Sequence, residues 1–113
     1  MKTFVDELRW HMSGSYRFFD SVNAGNYVLS IQASEGHYCS PRKNLPAHAY
    51  FSFELAIWHK DSQHFLNAAQ SSVMRSFPRW EELKGNSGSR VFGWVPEDLI
   101  NDLINYLNEK AKC

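Results

Sequence analysis

The stretch His37-Tyr38-Cys39-Ser40-Pro41-Arg42-Lys43 is where residue types and spacing come nearest to chemistry. A thiol close to an imidazole and two cations has the ingredients of a nucleophile, because nearby positive charge favours the thiolate. Cys39 and His37 are therefore the candidate catalytic residues, with Arg42 beside them. Successive side chains on extended backbone point apart, however, and no glycine-rich oxyanion motif follows Cys39. A second account fits the same residues: Tyr38 packs, Cys39 is a small buried apolar group, Pro41 fixes a turn and Arg42 meets a carboxylate. That account carries more weight, because free cysteines are mostly buried and inert. His37, Cys39, His48, His59 and His64 also invite a zinc reading, yet no CxxC, HExxH or HxxxH spacing is present. The chain shows no phosphate loop, GxSxG, EF-hand or dinucleotide fingerprint. Neither a metal nor a cofactor is expected.

Two strands must position that loop. Residues 27–34 alternate, with Tyr27, Leu29, Ile31 and Ala33 on one face and Val28, Ser30, Gln32 and Ser34 on the other. Residues 49–58 repeat the pattern: Phe51, Phe53, Leu55 and Ile57 oppose Tyr50, Ser52, Glu54, Ala56 and Trp58. One apolar face on each predicts an antiparallel sheet covered on one side. The connection over 35–48 is long for a hairpin and holds Gly36, Pro41 and Pro46. Loops of that length are more often functional. The polar face gathers Ser30, Gln32, Ser34, Ser52 and Glu54 between Tyr50 and Trp58. Short hydroxyls, an amide and rings suit recognition. An ordinary solvated face, or one covered by another segment of the chain, explains the pattern equally well. The candidate binding residues are thus Ser30, Gln32, Ser34, His37, Tyr38, Arg42, Lys43, Tyr50, Ser52, Glu54 and Trp58.

Helical periodicity accounts for most of the rest. Residues 3 to 11 or 12 read as a helix capped by Thr3, with Phe4, Val5, Leu8 and Met12 on one stripe. Residues 16–22 read as a continuation of that helix, broken at Ser13-Gly14-Ser15. The alternative is a strand over 16–19, with Asn23-Ala24-Gly25-Asn26 turning the chain into the next one. A second helix is expected from Asp61 or Ser62 to about Ser76, on the stripe Phe65, Leu66, Ala69, Val73 and Phe77, and Pro78 stops it. One further helical turn follows over 79–83, then a flexible loop over 85–89 and a short strand over 90–95. Trp80, Phe92 and Trp94 surround that loop, more readily as core than as interface anchors. Pro96 opens the last helix, with Glu97 and Asp98 at its positive end and Leu99, Ile100, Leu103, Ile104, Leu107 and Ala111 on its apolar stripe. Glu81-Glu82 and Glu97-Asp98 read as solvated helix charges rather than catalytic carboxylates.

Composition bounds the function classes. At 113 residues the chain fits one domain, 1–113, and needs no metal or disulfide to hold a core. Aromatic residues make up 15%, enough for core and interface anchors alike. Twelve basic and twelve acidic side chains cancel, so the footprint of a phosphate-gripping domain is missing. Arg42, Lys43, Arg75 and Arg79 remain as a local nucleic-acid reading, but direct nucleic-acid binding is not expected. Cys39 and Cys113 read as free thiols of a reducing compartment. With no apolar leader and no long apolar run, a cytoplasmic protein without a membrane partner is expected.

The strings YRFFDSV, SIQASEGHYCSPR, YFSFELAIW and VFGWVPEDLINDLI, taken together, resemble a group of small proteins of phages and bacterial mobile elements. Those proteins pair an SIQAS-like strand with an HYCSPR-like loop and end in a YGYVP-like strand before a helix. The resemblance carries no established activity and transfers no catalytic residue. It implies a setting in which accessory proteins bind host proteins, CRISPR effectors among them. The expectation is an α+β fold, two-layer, with an antiparallel sheet of three or four strands and about three helices mainly on one face. The expected function is a non-enzymatic protein-binding factor acting on a host protein or nucleoprotein complex, with a homodimer left open. A thiol-dependent enzyme and a nucleic-acid accessory protein are the alternatives.

Overall fold

The computed structural model describes residues 3–14, 16–62, 64, 66, 71–86 and 91–112. Among these, six strands are found: β1 (Trp10–Ser13), β2 (Tyr16–Phe19), β3 (Val22–Ala24), β4 (Tyr27–Gln32), β5 (Ser52–His59) and β6 (Phe92–Pro96). Three helices accompany them: α1 (Ser72–Arg75), α2 (Trp80–Lys84) and α3 (Glu97–Ala111). The strands form two antiparallel sheets, β1-β2 and β3-β4-β5-β6. The mixed α and β content is as expected, and the second small sheet is additional to it.

Period-two burial explains the larger sheet. Leu29 pairs with Ile57 and Ile31 with Leu55, and all four are buried. The same core takes Leu99, Ile100, Leu103 and Leu107 from α3, which packs on β3 and β6. Helix start chemistry fits: Pro96 is the N-cap, Glu97 and Asp98 occupy the first turn and Lys110 the last. The β3–β4 turn closes against α3. Gly25 has φ +59°, and a Cβ there would lie 2.3 Å from the Leu107 carbonyl oxygen, so only glycine fits. The Gly25 N–H donates to Asn108 Oδ1 at 2.7 Å, which ties the turn to the helix.

The expected first helix is corrected. Only a 3-10 turn forms, over Phe4–Glu7, and the chain extends at Leu8. Phe4, Val5 and Leu8 reach the core in this form as they would from a helix. Met12 does not: it is exposed on β1. Residues 16–19 take the strand alternative rather than the continued helix, with Trp10 opposite Phe19 and His11 opposite Phe18. Gly14, at φ +63°, makes the turn between them.

The register of β3 on β4, continued backward from Val22 opposite Leu29, would place Phe19 opposite Gln32. There the chain lifts off the sheet, and the Gln32 side chain replaces the missing backbone partner. Phe19 N–H donates to Gln32 Oε1 at 2.7 Å, and Gln32 Nε2 donates to the Phe19 carbonyl at 2.9 Å. A side-chain amide thus continues the ladder and satisfies two buried backbone groups.

The second helix does not begin at Asp61 or Ser62. His64 N–H bonds to Ser62 Oγ, and Leu66 N–H bonds to the Ile57 carbonyl at 2.6 Å, holding this segment against β5. Helix is described only over Ser72–Arg75, where Ser71 Oγ caps Met74 N–H. Gln63, Phe65 and residues 67–70, with much of the expected stripe, lie outside the described residues, as do 87–90 of the expected loop. Among the described residues, no helix is long and apolar enough to cross a membrane.

Candidate functional site

Beyond β4 the chain rises over the end of β5 and returns at Ser40, which bridges Ser52. Ser34 organises the crossing. Its Oγ accepts from Gly36 N–H at 3.0 Å and lies 2.6 Å from His37 Nδ1. The Ser34 hydroxyl thus ties the Gly36 backbone and the His37 ring together. Burial lowers the His37 pKa, Glu54 opposes that, and Arg17 and Arg42 add to it. Cys39 is 1% exposed, and its Sγ donates to the Ser34 and Pro41 carbonyls at 3.3 and 3.5 Å. Desolvation raises its pKa above the ordinary thiol value, against smaller opposing effects of the Ser34 bond and Arg42. His37 and Cys39 are thus each held by other groups. A buried, protonated thiol is the reverse of what nucleophilic catalysis needs.

The unusual geometry lies one residue away and across the sheet. Phe53 pairs with Val95 but Leu55 with Phe92, so Gly93 and Trp94 together stand opposite Glu54. This is a β-bulge, which re-aims a side chain and twists the strand. Trp94 takes φ +53°, a region that L side chains with a large Cβ substituent rarely occupy. The loop pins it there. Trp94 N–H donates to the Tyr38 carbonyl at 2.9 Å, and Tyr38 N–H donates to Glu54 Oε2 at 2.9 Å. Gly93 lets the loop sit down, since a Cβ there would lie 3.1 Å from Tyr38 Cβ. The Tyr38 and Trp94 rings meet at 5.1 Å and 33°, and the Arg42 guanidinium lies 5.5 Å from the Tyr38 ring. Both rings remain about half exposed, Tyr38 at 46% and Trp94 at 51%. Phe51, whose N–H bonds to the Ser40 carbonyl, is 79% exposed.

The expected polar sheet face is not one open surface. Gln32, Ser34, Tyr50 and Ser52 are buried, because β2 and the loop cover them. Tyr50 OH accepts from Arg17 Nη2 and Leu45 N–H and donates to the Lys43 carbonyl, fastening the loop to the hairpin. Burial also pushes the Tyr50 pKa up. Glu54 is half-buried under Tyr38, while Arg42 and Lys43 are exposed. Ser30 and Trp58 line a shallow groove of about 300 Å³ with Phe18 and an exposed His11–Asp20 pair at 3.0 Å. The candidate nucleic-acid residues do not make a free basic patch. Arg79 is held by Glu82, Asp98 and Asp102 at 2.7, 3.0 and 2.7 Å, which raises its pKa further, and Arg75 Nε donates to the Ser71 carbonyl. Among the described residues, no group of three or more His, Cys, Asp or Glu is placed to hold a metal ion.

The sequence pattern favours Trp94 as a core ring over an interface anchor, but the indole is half exposed. The available signal was Gly93 inside a strand pattern, which marks a bulge or a close backbone approach. No protein-family model, curated protein or solved structure matches this chain.

Proposed function

We propose that this chain is a non-enzymatic protein-binding factor, phage- or prophage-borne, that occupies a surface of a host protein or defence complex and so modulates or inhibits it, as an anti-CRISPR inhibitor does. In this reading the molecule is a two-layer α+β domain with its helices mainly on one face, and the loop-bearing side of the sheet meets the partner. The observation that carries the reading is Trp94: a half-exposed indole held at positive φ by a bulge and stacked on Tyr38. Backbone strain of this kind persists where the surroundings over-determine it, and it concentrates at functional positions. Aromatic and arginine side chains are the commonest anchors of protein interfaces. The Arg42–Tyr38–Trp94 series has that composition.

The test is affinity capture from a host extract with the wild-type chain and a Trp94→Gly variant, each with and without nuclease. The expected result is a protein partner retained by wild type, lost by the variant and insensitive to nuclease. Capture of no protein, or equal capture by the variant, overturns the reading. Retention that disappears with nuclease replaces it with nucleic-acid binding.

A further inference from the structure

We infer that the cleft between α3, β3 and the N-terminal turn is a binding site for a neutral polyhydroxylated small molecule, a mono- or disaccharide by its chemistry. The cleft holds about 570 Å³, within the range of small-ligand sites, and shares no residue with the Tyr38–Trp94 surface. Three asparagines from one face of α3 line it, Asn101, Asn105 and Asn108, and Asn23 joins them from β3. The spacing of the three is one helical stripe.

Two of these amides are oriented by the fold. Asn108 Oδ1 accepts from Gly25 N–H at 2.7 Å, and Asn101 Oδ1 accepts from Phe4 N–H at 3.4 Å. Because a backbone N–H can meet only the carbonyl oxygen, the bonds fix which end of each amide is used. With Oδ1 engaged by the backbone, Nδ2 is left with a pair of donors from each residue for a ligand. Two carboxylates are also in the lining: Asp102 is paired with Arg79 at 2.7 Å, while Glu7, which offers only acceptors, has no ion-pair partner among the described residues. A ligand that accepts from the amides and donates to the Glu7 carboxylate uses both sets. Hydroxyl groups do both. An amine cannot accept once protonated, and an anion meets no cation in the lining. Phe4, Val22 and Ile104 supply apolar surface for the C–H faces of a sugar ring. Donors held in place by the fold lose little freedom on binding.

Three sugars of one ring and different charge provide the test: glucose, glucuronate and glucosamine, titrated to tens of millimolar at mildly acidic pH. The readout is the side-chain amide signals of Asn101, Asn105 and Asn108 in nitrogen-15 NMR spectra. Glucose is expected to shift them with millimolar affinity, glucosamine more weakly and glucuronate least. Asn108→Asp keeps the acceptor for Gly25 N–H but replaces the Nδ2 donor, so it separates tether from ligand contact. It should bind glucose about tenfold more weakly, and Asn105→Ala, which breaks no hydrogen bond among the described residues, about fivefold more weakly. No shift with glucose, binding of glucuronate or glucosamine as strong as that of glucose, or wild-type affinity in Asn108→Asp overturns the proposal.

Discussion

Replacing Trp94 by glycine and by alanine separates the backbone from the ring. Both substitutions remove the same indole. Stacking on Tyr38 contributes about 1 kcal/mol. Half-burial of the ring covers roughly 100 Å² of apolar surface, or about 2.5 kcal/mol at the usual coefficient. Both variants should therefore be less stable than wild type by a few kcal/mol. They differ in what they leave at φ +53°. Alanine retains the left-handed strain, about 1–2 kcal/mol, and glycine does not. Glycine loses about 0.5–1 kcal/mol through its freer unfolded chain. The balance favours Trp94→Gly over Trp94→Ala by roughly 0.5–1 kcal/mol, or about 3 °C in melting temperature. In an ordinary strand position the order is the reverse. Urea unfolding of the three proteins, with the slopes compared, reads the order directly. Alanine equal to or more stable than glycine would show that the bulge does not hold residue 94 in the left-handed region.

Further perturbations follow from other contacts in the fold. Gly25→Ala puts a Cβ against the Leu107 carbonyl and should cost about 3 kcal/mol or more, whereas Gly14→Ala, with nothing within 4 Å, should cost only about 1 kcal/mol; equal losses in thermal melts would refute the close approach of turn and helix. Gln32→Leu leaves the Phe19 N–H and C=O unpaired and should destabilise by about 2–3 kcal/mol, with faster hydrogen exchange at the Phe19 amide; an unchanged exchange rate would mean the clamp is not formed in solution. Burial sets the pH response at both ends. The His37 pKa is lowered in the folded chain, so its contribution is complete above the unfolded value near 6.5 and lost as pH falls through the folded one. The Cys39 pKa is raised, so its contribution is complete below the unfolded value and lost as pH climbs through the folded one. His37→Gln should flatten the acid limb of stability against pH. In a Cys113→Ser background, Cys39 should react with a thiol reagent only as fast as the fold opens; fast labelling of native protein would restore the thiol reading.

The parts legible in the sequence are those where burial alone sets the period. Leu29, Ile31, Leu55 and Ile57 alternate because one sheet face is core, and Leu99, Ile100, Leu103 and Leu107 recur because one helix stripe is. The N-terminal segment misled for a physical reason. Phe4, Val5 and Leu8 satisfy a helical stripe, yet a single 3-10 turn buries the same three side chains. What decides against the longer helix is tertiary: Trp10 and His11 find cross-strand partners in Phe19 and Phe18. Cross-strand pairing in the hairpin overrides a weak helical preference. The start of the second helix failed similarly, because Leu66 N–H has a better partner in the Ile57 carbonyl than in a helical turn.

The candidate site was half legible, and the missing half depends on how strands end. Alternation marks Ser30, Gln32, Ser34, Ser52 and Glu54 as a polar face, but it says nothing about what lies over them. Gln32 and Ser34 are polar because backbone groups of β2 and of the loop require partners there. Glu54 serves the Tyr38 N–H in the same way. These side chains fasten covering segments to the sheet, and what reaches solvent is what the cover carries: Tyr38, Arg42 and, through the bulge, Trp94. A buried polar residue beneath a loop and an exposed ring upon it are therefore two parts of one device. Glu54 connects them. Its carboxylate holds the Tyr38 N–H, Tyr38 holds the Trp94 N–H, and the bulge stands opposite Glu54 itself. If that chain of contacts displays Trp94, Glu54→Gln should keep the Tyr38 bond through its amide oxygen and leave partner capture intact. Glu54→Leu removes the acceptor and should free the loop, reducing capture nearly as far as Trp94→Gly while the residue at 94 is still tryptophan. Full capture by Glu54→Leu would show that Trp94 needs no support from beneath.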